Sequence, residues 1–235
     1  NEGSGNNWTR TNVAGLDTIL EQVGTDFRTS DQDLRMLREA GCDVQGQRVR
    51  WPRGLARRIV QASAPREFVQ YARNHARDVR IGGNATVFAP NYGSPFAHDL
   101  EHGRRYATIE DFRNLVKLTY LSPYLHHSGG TVCEPTDVPV NKRHLDMVYA
   151  HLRYSDRAFL GSVTAPERAA DSIEMARIVF GADVVDQQCV IMGNVNSNSP
   201  LVWDATMTGA LKTYARANQG TVVVPFLLGG AMGPV

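Results

Sequence analysis

Cysteine is scarce in this chain. Cys42, Cys133 and Cys189 are far apart and odd in number, and no Cys-x-x-Cys pair occurs. This excludes a disulfide framework and suits a reducing cytoplasm. Each reads as a small apolar residue, and Cys133 draws notice because it follows an apparent strand. Lysine is equally sparse. Lys117, Lys142 and Lys212 all fall in or beside helical patterns, which argues against a Schiff-base lysine at a strand end. No apolar run approaches the roughly 18 residues that span a bilayer. The first ten residues carry no basic-then-apolar signal. The formal net charge of +1 is too near neutral for nucleic acid or an anionic membrane to be the main partner. Gly-x-Gly-x-x-Gly, the Gly-Lys-Ser/Thr phosphate loop and the Gly-x-Ser-x-Gly elbow are all missing, which weighs against nucleotide-binding open sheets and serine hydrolases.

What is present is an ordinary globular composition, 42% hydrophobic and 21% charged over 235 residues. The first part reads as helical. Leu16, Ile19, Leu20 and Val23 form a helical stripe closed by Gly24, and Ser30 caps a second helix with Asp31 and Asp33 in its first turn. Trp51-Pro52 opens a third, and Ser63-Pro65 a short one through Phe68. Residues 1–80 are therefore expected to be a helical lead-in, and residues 81–235 the main domain.

From there short apolar runs alternate with helical stripes. The expected strands are Thr86–Pro90, Leu125–Cys133, Ala158–Val163, Cys189–Met192 and Thr221–Phe226. The helices between them start at Thr108, Asn141, the capping box Thr164-Ala165-Pro166-Glu167, and Trp203. Continuous apolar strands separated by helices describe a parallel α/β sheet buried on both faces. An eight-stranded β/α barrel needs about 250 residues, so five strands describe the first part of an incomplete barrel or a complete open sheet.

Barrel chemistry sits at the C-terminal ends of strands, which singles out Tyr92 after the first strand and Glu134 after the second. The richest stretch, Asn194 to Ser199, offers neutral hydrogen-bonding side chains that can hold a ligand without supplying a proton or a metal ligand. Gly229, Gly230 and Gly233 either turn the chain or let something large approach. His126 and His127 are adjacent on a strand and point to opposite faces, so they do not readily share a metal. His98 and His102 lack a third ligand. No metal site is expected.

Several strings are more specific. Asn194-Val195-Asn196-Ser197-Asn198-Ser199-Pro200-Leu201-Val202-Trp203-Asp204 resembles a segment of the trimethylamine methyltransferase family. So does the run from Val222 to Val235, through Gly229-Gly230-Ala231-Met232-Gly233-Pro234, and the early Gly15-Leu16-Asp17 helix looks like the family's opening helix. The resemblance implies a TIM (β/α)8 barrel that demethylates a tertiary or quaternary methylamine such as trimethylamine or glycine betaine. It implies that the methyl goes to Co(I) of a corrinoid held by a separate corrinoid protein, with no cofactor bound by this chain. The position that carries pyrrolysine in one branch lies downstream of Val235, where the catalytic residues are also expected; the other, quaternary-amine branch is favoured as the commoner. Asn194, Asn196, Ser197, Gly229, Gly230, Tyr92, Glu134 and His127 are then expected to face substrate or corrinoid, with Phe88, Tyr124, Trp203 and Phe226 as further aromatic walls. Homo-oligomerisation stays open. The competing readings are a lyase or aldolase on the same scaffold and a non-catalytic partial barrel that serves binding.

Overall fold

The computed structural model describes residues 14–197 and 201–225. They form a mixed α/β chain of two compact units, the first built from residues up to Pro65 together with 196–208 and the segment from Val224, the second from 66–195 and 209–223. No helix among the described residues is long and apolar enough to cross a membrane.

The first unit contains strands as well as the expected helices. Residues 14–22 are helical (α1). Helix α2 (Asp31–Glu39) begins as its sequence dictates, with the Ser30 hydroxyl accepting the Asp33 N–H at 3.3 Å. Between the helices lie β1 (Thr25–Arg28), β2 (Asp43–Gln45) and β3 (Arg48–Arg50), and α3 (Leu55–Ser63) follows. The sheet order is β10-β1-β3-β2, where β10 (Val202–Asp204) arrives from far along the chain and pairs with β1 in parallel, Phe27 opposite Trp203. The helix expected to start at Trp203 therefore starts two residues later, because its first residues are claimed by this pairing. Leu34, Cys42, Val49 and Leu55 make the core, with Phe27 and Trp51 packed on it. The Phe27 ring lies parallel to that of Trp203, centroids 6.1 Å apart.

The second unit opens with the hairpin β4 (Glu67–Gln70) and β5 (Val79–Gly82), where a short helix was expected. A second hairpin, β6 (Phe96–Asp99) and β7 (Gly103–Tyr106), carries His98 and His102. Helices α4 (Ile109–Leu121), α5 (Arg143–Tyr154), α6 (Pro166–Phe180), α7 (Ala182–Gln187) and α8 (Ala205–Arg216) alternate with β8 (Phe159–Gly161), β9 (Ile191–Ser197) and β11 (Gly220–Pro225). Thr108 and Asp111 form a reciprocal capping box on α4. The box expected at α6 does not form. Ala165 is the N-cap, one residue later than the sequence suggested, and Pro166 opens the helix.

The first two expected strands are extended segments that are too sparsely bonded to be regular strands. Phe88 O accepts from the N–H groups of His126 and His127, Thr131 O from Gly93, and Ser94 O from Glu134. On its other side the second segment meets β8, with Ser128 N–H to Ala158 O and Leu160 N–H to Gly129 O, both 2.8 Å. Strand β8 pairs with β9 in parallel, and β9 neighbours β11. The five segments thus lie side by side in sequence order, the first four each followed by a helix, with no closed barrel among the described residues.

Gly161 and Gly193 are register partners on β8 and β9, and together they form a flat seat for the buried Tyr214 of α8. A Cβ on Gly161 would stand 2.4 Å from the Tyr214 hydroxyl, and one on Gly193 2.6 Å from its ring. The hydroxyl donates to Ser162 O at 2.9 Å, while the Ser162 N–H is taken by Ser172 Oγ of α6 at 3.0 Å. Two helices therefore fix Ser162, the residue that follows β8. Gly193→Ala is expected to destabilise the protein by about 1–3 kcal/mol through overpacking, and Tyr214→Leu in the same chain to restore part of the loss. Urea denaturation of the two single variants and the double variant measures the coupling.

Candidate functional site

The exit of β8 and the helices beside it enclose a cavity of about 130 Å3 in the second unit, its walls including Tyr92, Thr131, Ser162, Thr164, Met147 and Leu160. It lies where the strand segments end and where α5 and α6 begin, the pole at which their helix dipoles are positive. Charged side chains reach it from three elements. Arg143, at the start of α5, binds Glu134 at 2.6 Å and the Val138 carbonyl at 3.1 Å. Arg168, in the first turn of α6, donates to Thr164 Oγ1 at 2.9 Å and makes no ion pair among the described residues. His144 of α5 is 7% exposed and contacts Asp171 of α6 through Nε2 at 2.8 Å. Its Nδ1 is buried and has no partner among the described residues.

The expected site residues divide. Tyr92 and Glu134 line this cavity. His127 does not; it is buried elsewhere in the same unit. Asn194 lies on β9, which runs on through Ser197, so the polar stretch expected to follow the strand begins inside it. Period-two alternation sets Asn194 and Asn196 on the face opposite Gly193 and Tyr214, away from the helices. The Oδ1 atom of Asn194 is buried without a hydrogen-bond partner among the described residues. Of Ser197 only the backbone is described, and Gly229, Gly230 and Phe226 lie outside the described residues. Trp203 packs on Phe27 in the first unit. Phe88 stacks on His126, centroids 5.7 Å apart, and Tyr124 is exposed. Cys133 is buried in the core with Phe112 and Val116, where burial pushes its thiol up to about 12 and keeps it un-ionised and inert. No group of three or more His, Cys, Asp or Glu among the described residues is arranged to hold a metal ion.

His144, Asp171 and Arg168 were not singled out by the sequence. They occupy the first two turns of helices that come after strand segments, and topology alone assigns those turns to the same pole as the strand ends. Reading past each strand into the next helix would have found them.

The sequence model of the family described as trimethylamine methyltransferase (MTTB) matches residues 12–235. Over 220 residues the chain is 41% identical to a protein described as glycine betaine methyltransferase from Desulfitobacterium hafniense (strain Y51), a match that covers 92% of this chain and 45% of that protein. The chain thus spans a little under half the length of this curated relative.

Next to the cavity lies a dry polar cluster. His127 Nδ1 accepts the Gly129 N–H at 2.9 Å, so Nε2 carries the proton and donates to Gln70 Oε1 at 3.1 Å. His151 Nε2 donates to Gly130 O at 2.7 Å, and its Nδ1 accepts from Ser128 Oγ at 2.8 Å. Every ring nitrogen is used in the neutral form. Burial, aided by the mutual repulsion of the two rings, holds His127 down to about 3, and burial holds His151 down to about 4. Unfolded histidine titrates near 6.5. The depressed values mean that stability is fully present above about pH 6.5 and is lost as pH falls toward 4, because the unfolded chain takes up protons that the folded chain refuses. The denaturation midpoint is expected to drop across that interval, and His127→Gln to flatten the drop. An unchanged slope in a urea titration at stepped pH would refute this.

Proposed function

The chain belongs to the trimethylamine methyltransferase family, and we propose that it forms the front part of an amine methyltransferase acting on a quaternary methylated amine, with glycine betaine ahead of trimethylamine. In this reading the five segments are the first of a (β/α)8 barrel, and the methyl acceptor is Co(I) of a corrinoid carried by a separate protein. The observation that carries the substrate class is the 41% identity to a glycine betaine methyltransferase along almost the whole of this chain. The sequence-ordered, helix-separated segments support the barrel, since an open doubly wound sheet reverses its strand order partway.

The chemistry asks little acid–base work of the protein. A quaternary ammonium has no N–H, so its site needs partial negative charge, aromatic surface and exclusion of water. The buried, unpartnered Asn194 Oδ1 supplies an oxygen dipole that a methylated cation satisfies without a hydrogen bond. The transfer is a displacement in which the C–N bond breaks, nitrogen keeps the bonding pair, and the new tertiary amine takes a proton from solvent. The corrinoid supplies the nucleophilic metal; alignment of the methyl and dryness are the protein's share.

Incubating the full-length protein with the Co(I) form of its corrinoid protein and glycine betaine is expected to change the visible spectrum to that of the methylated corrinoid, with a smaller rate for trimethylamine. Absence of change with every methylated amine tried overturns the function and leaves the family alone.

A further inference from the structure

The cavity beside His144 has a polarity that the methyl-transfer reading does not use. Its volume of about 130 Å3 is several times the roughly 30 Å3 that a water occupies in the liquid, so it has room for a small organic molecule. Arg143 and Glu134 neutralise one another at 2.6 Å. The Arg168 guanidinium remains as a cation whose one side-chain hydrogen bond among the described residues is to the Thr164 hydroxyl. Arg168 is thus the charged side chain of the lining that has no ion pair among the described residues. His144 contributes a second polarity. Asp171 accepts its Nε2 proton at 2.8 Å; in the tautomer this contact selects, Nδ1 is a lone pair, buried and without a partner among the described residues. A buried acceptor left empty costs about 1–3 kcal/mol, which a matching donor recovers. Met147, Val148 and Leu160 make the rest of the wall apolar.

A cation, a lone pair and an apolar wall describe one ligand class. We propose that this cavity binds a small carboxylate bearing an N–H or O–H donor on the neighbouring atom, with the carboxylate on Arg168, the donor on His144 Nδ1 and the alkyl groups against the apolar wall. If the proposed reaction is correct, its own chemistry produces such a molecule. Glycine betaine has the carboxylate but no N–H. Loss of one methyl gives N,N-dimethylglycine, whose nitrogen is protonated at neutral pH and has gained a donor. The cavity then discriminates product from substrate and retains the demethylated amino acid.

The test uses the full-length protein, labelled with 15N-histidine and titrated with N,N-dimethylglycine, glycine betaine, acetate and trimethylammonium chloride. Calorimetry gives the affinities, and the imidazole nitrogen resonances report locally, with His144 assigned from a His144→Gln variant. N,N-dimethylglycine is expected to shift the His144 Nδ1 resonance and to bind about tenfold more tightly than glycine betaine, the worth of one hydrogen bond to a buried acceptor. Acetate and trimethylammonium, each lacking one half of the ligand, bind more weakly still. Arg168→Gln reduces N,N-dimethylglycine binding tenfold or more without altering the denaturation midpoint. Equal binding of betaine and dimethylglycine at His144, an unmoved His144 resonance with all four compounds, or an Arg168→Gln variant with unchanged affinity overturns the proposal. None of these readouts needs methyl transfer, so failure to methylate the corrinoid would remove the function proposed above and leave this binding measurable.

Discussion

The second unit depends on satisfying buried backbone groups where its strands do not pair. An unpartnered N–H or C=O away from water is costly, and the segments of this arc meet one another only at intervals. Two buried glutamines close the gaps. Gln70 Nε2 donates to the carbonyls of Phe159 and Val190 at 2.8 and 3.4 Å, just where β8 and β9 begin. Gln219 Oε1 accepts the N–H groups of Val190 and Ile191, and its Nε2 donates to Val185 O at 2.6 Å. His127 and His151 perform the same service for Gly129 and Gly130. Arg157 extends the pattern to a helix end, donating to the carbonyls of Tyr120 and Ser122 where α4 stops. Amide and imidazole side chains replace the ladder that regular strands would have made.

This substitution explains which parts of the fold were legible in the sequence. Helices α2 and α4 announce themselves through Ser30 and Thr108, because a cap is a contact between residues three apart. The apolar runs at β8, β9 and β11 were likewise visible, since burial on both faces leaves a local mark. The sheet of the first unit was not. Strands such as Asp43–Gln45 and Arg48–Arg50 are three residues long and largely polar, and β1 finds its parallel partner about 175 residues away, Asp26 against Val202. No window of sequence contains that information. The extended segments around Phe88 and Ser128 look like full strands in the sequence because apolar character reports burial and not the regularity of hydrogen bonding.

The candidate site shows the same division. Tyr92 and Glu134 stand directly after apolar runs, the position at which barrel chemistry is expected, and so both were visible. Asn194 was visible as well, though on a longer strand than its composition suggested. His144, Asp171 and Arg168 escaped because their meaning lies in how α5 and α6 pack, with His144 and Asp171 27 residues apart in the chain. A histidine in an amphipathic helix carries no local sign that one of its nitrogens will be left without a partner. Such a sign exists only once the opposing helix is in place.

The reach of Gln70 also bears on when this arc is completed during synthesis. Its two carbonyl partners lie 89 and 120 residues further along the chain. The hairpin that carries Gln70 can close locally soon after it is made, but its amide has nothing to hold until Phe159 has been translated, and its second carbonyl comes only with Val190. The entropy of closing so long a loop is borne before the bonds reward it. In the interval the beginnings of β8 and β9 present bare carbonyls, a state in which a nascent chain gains from the shelter of a holding factor.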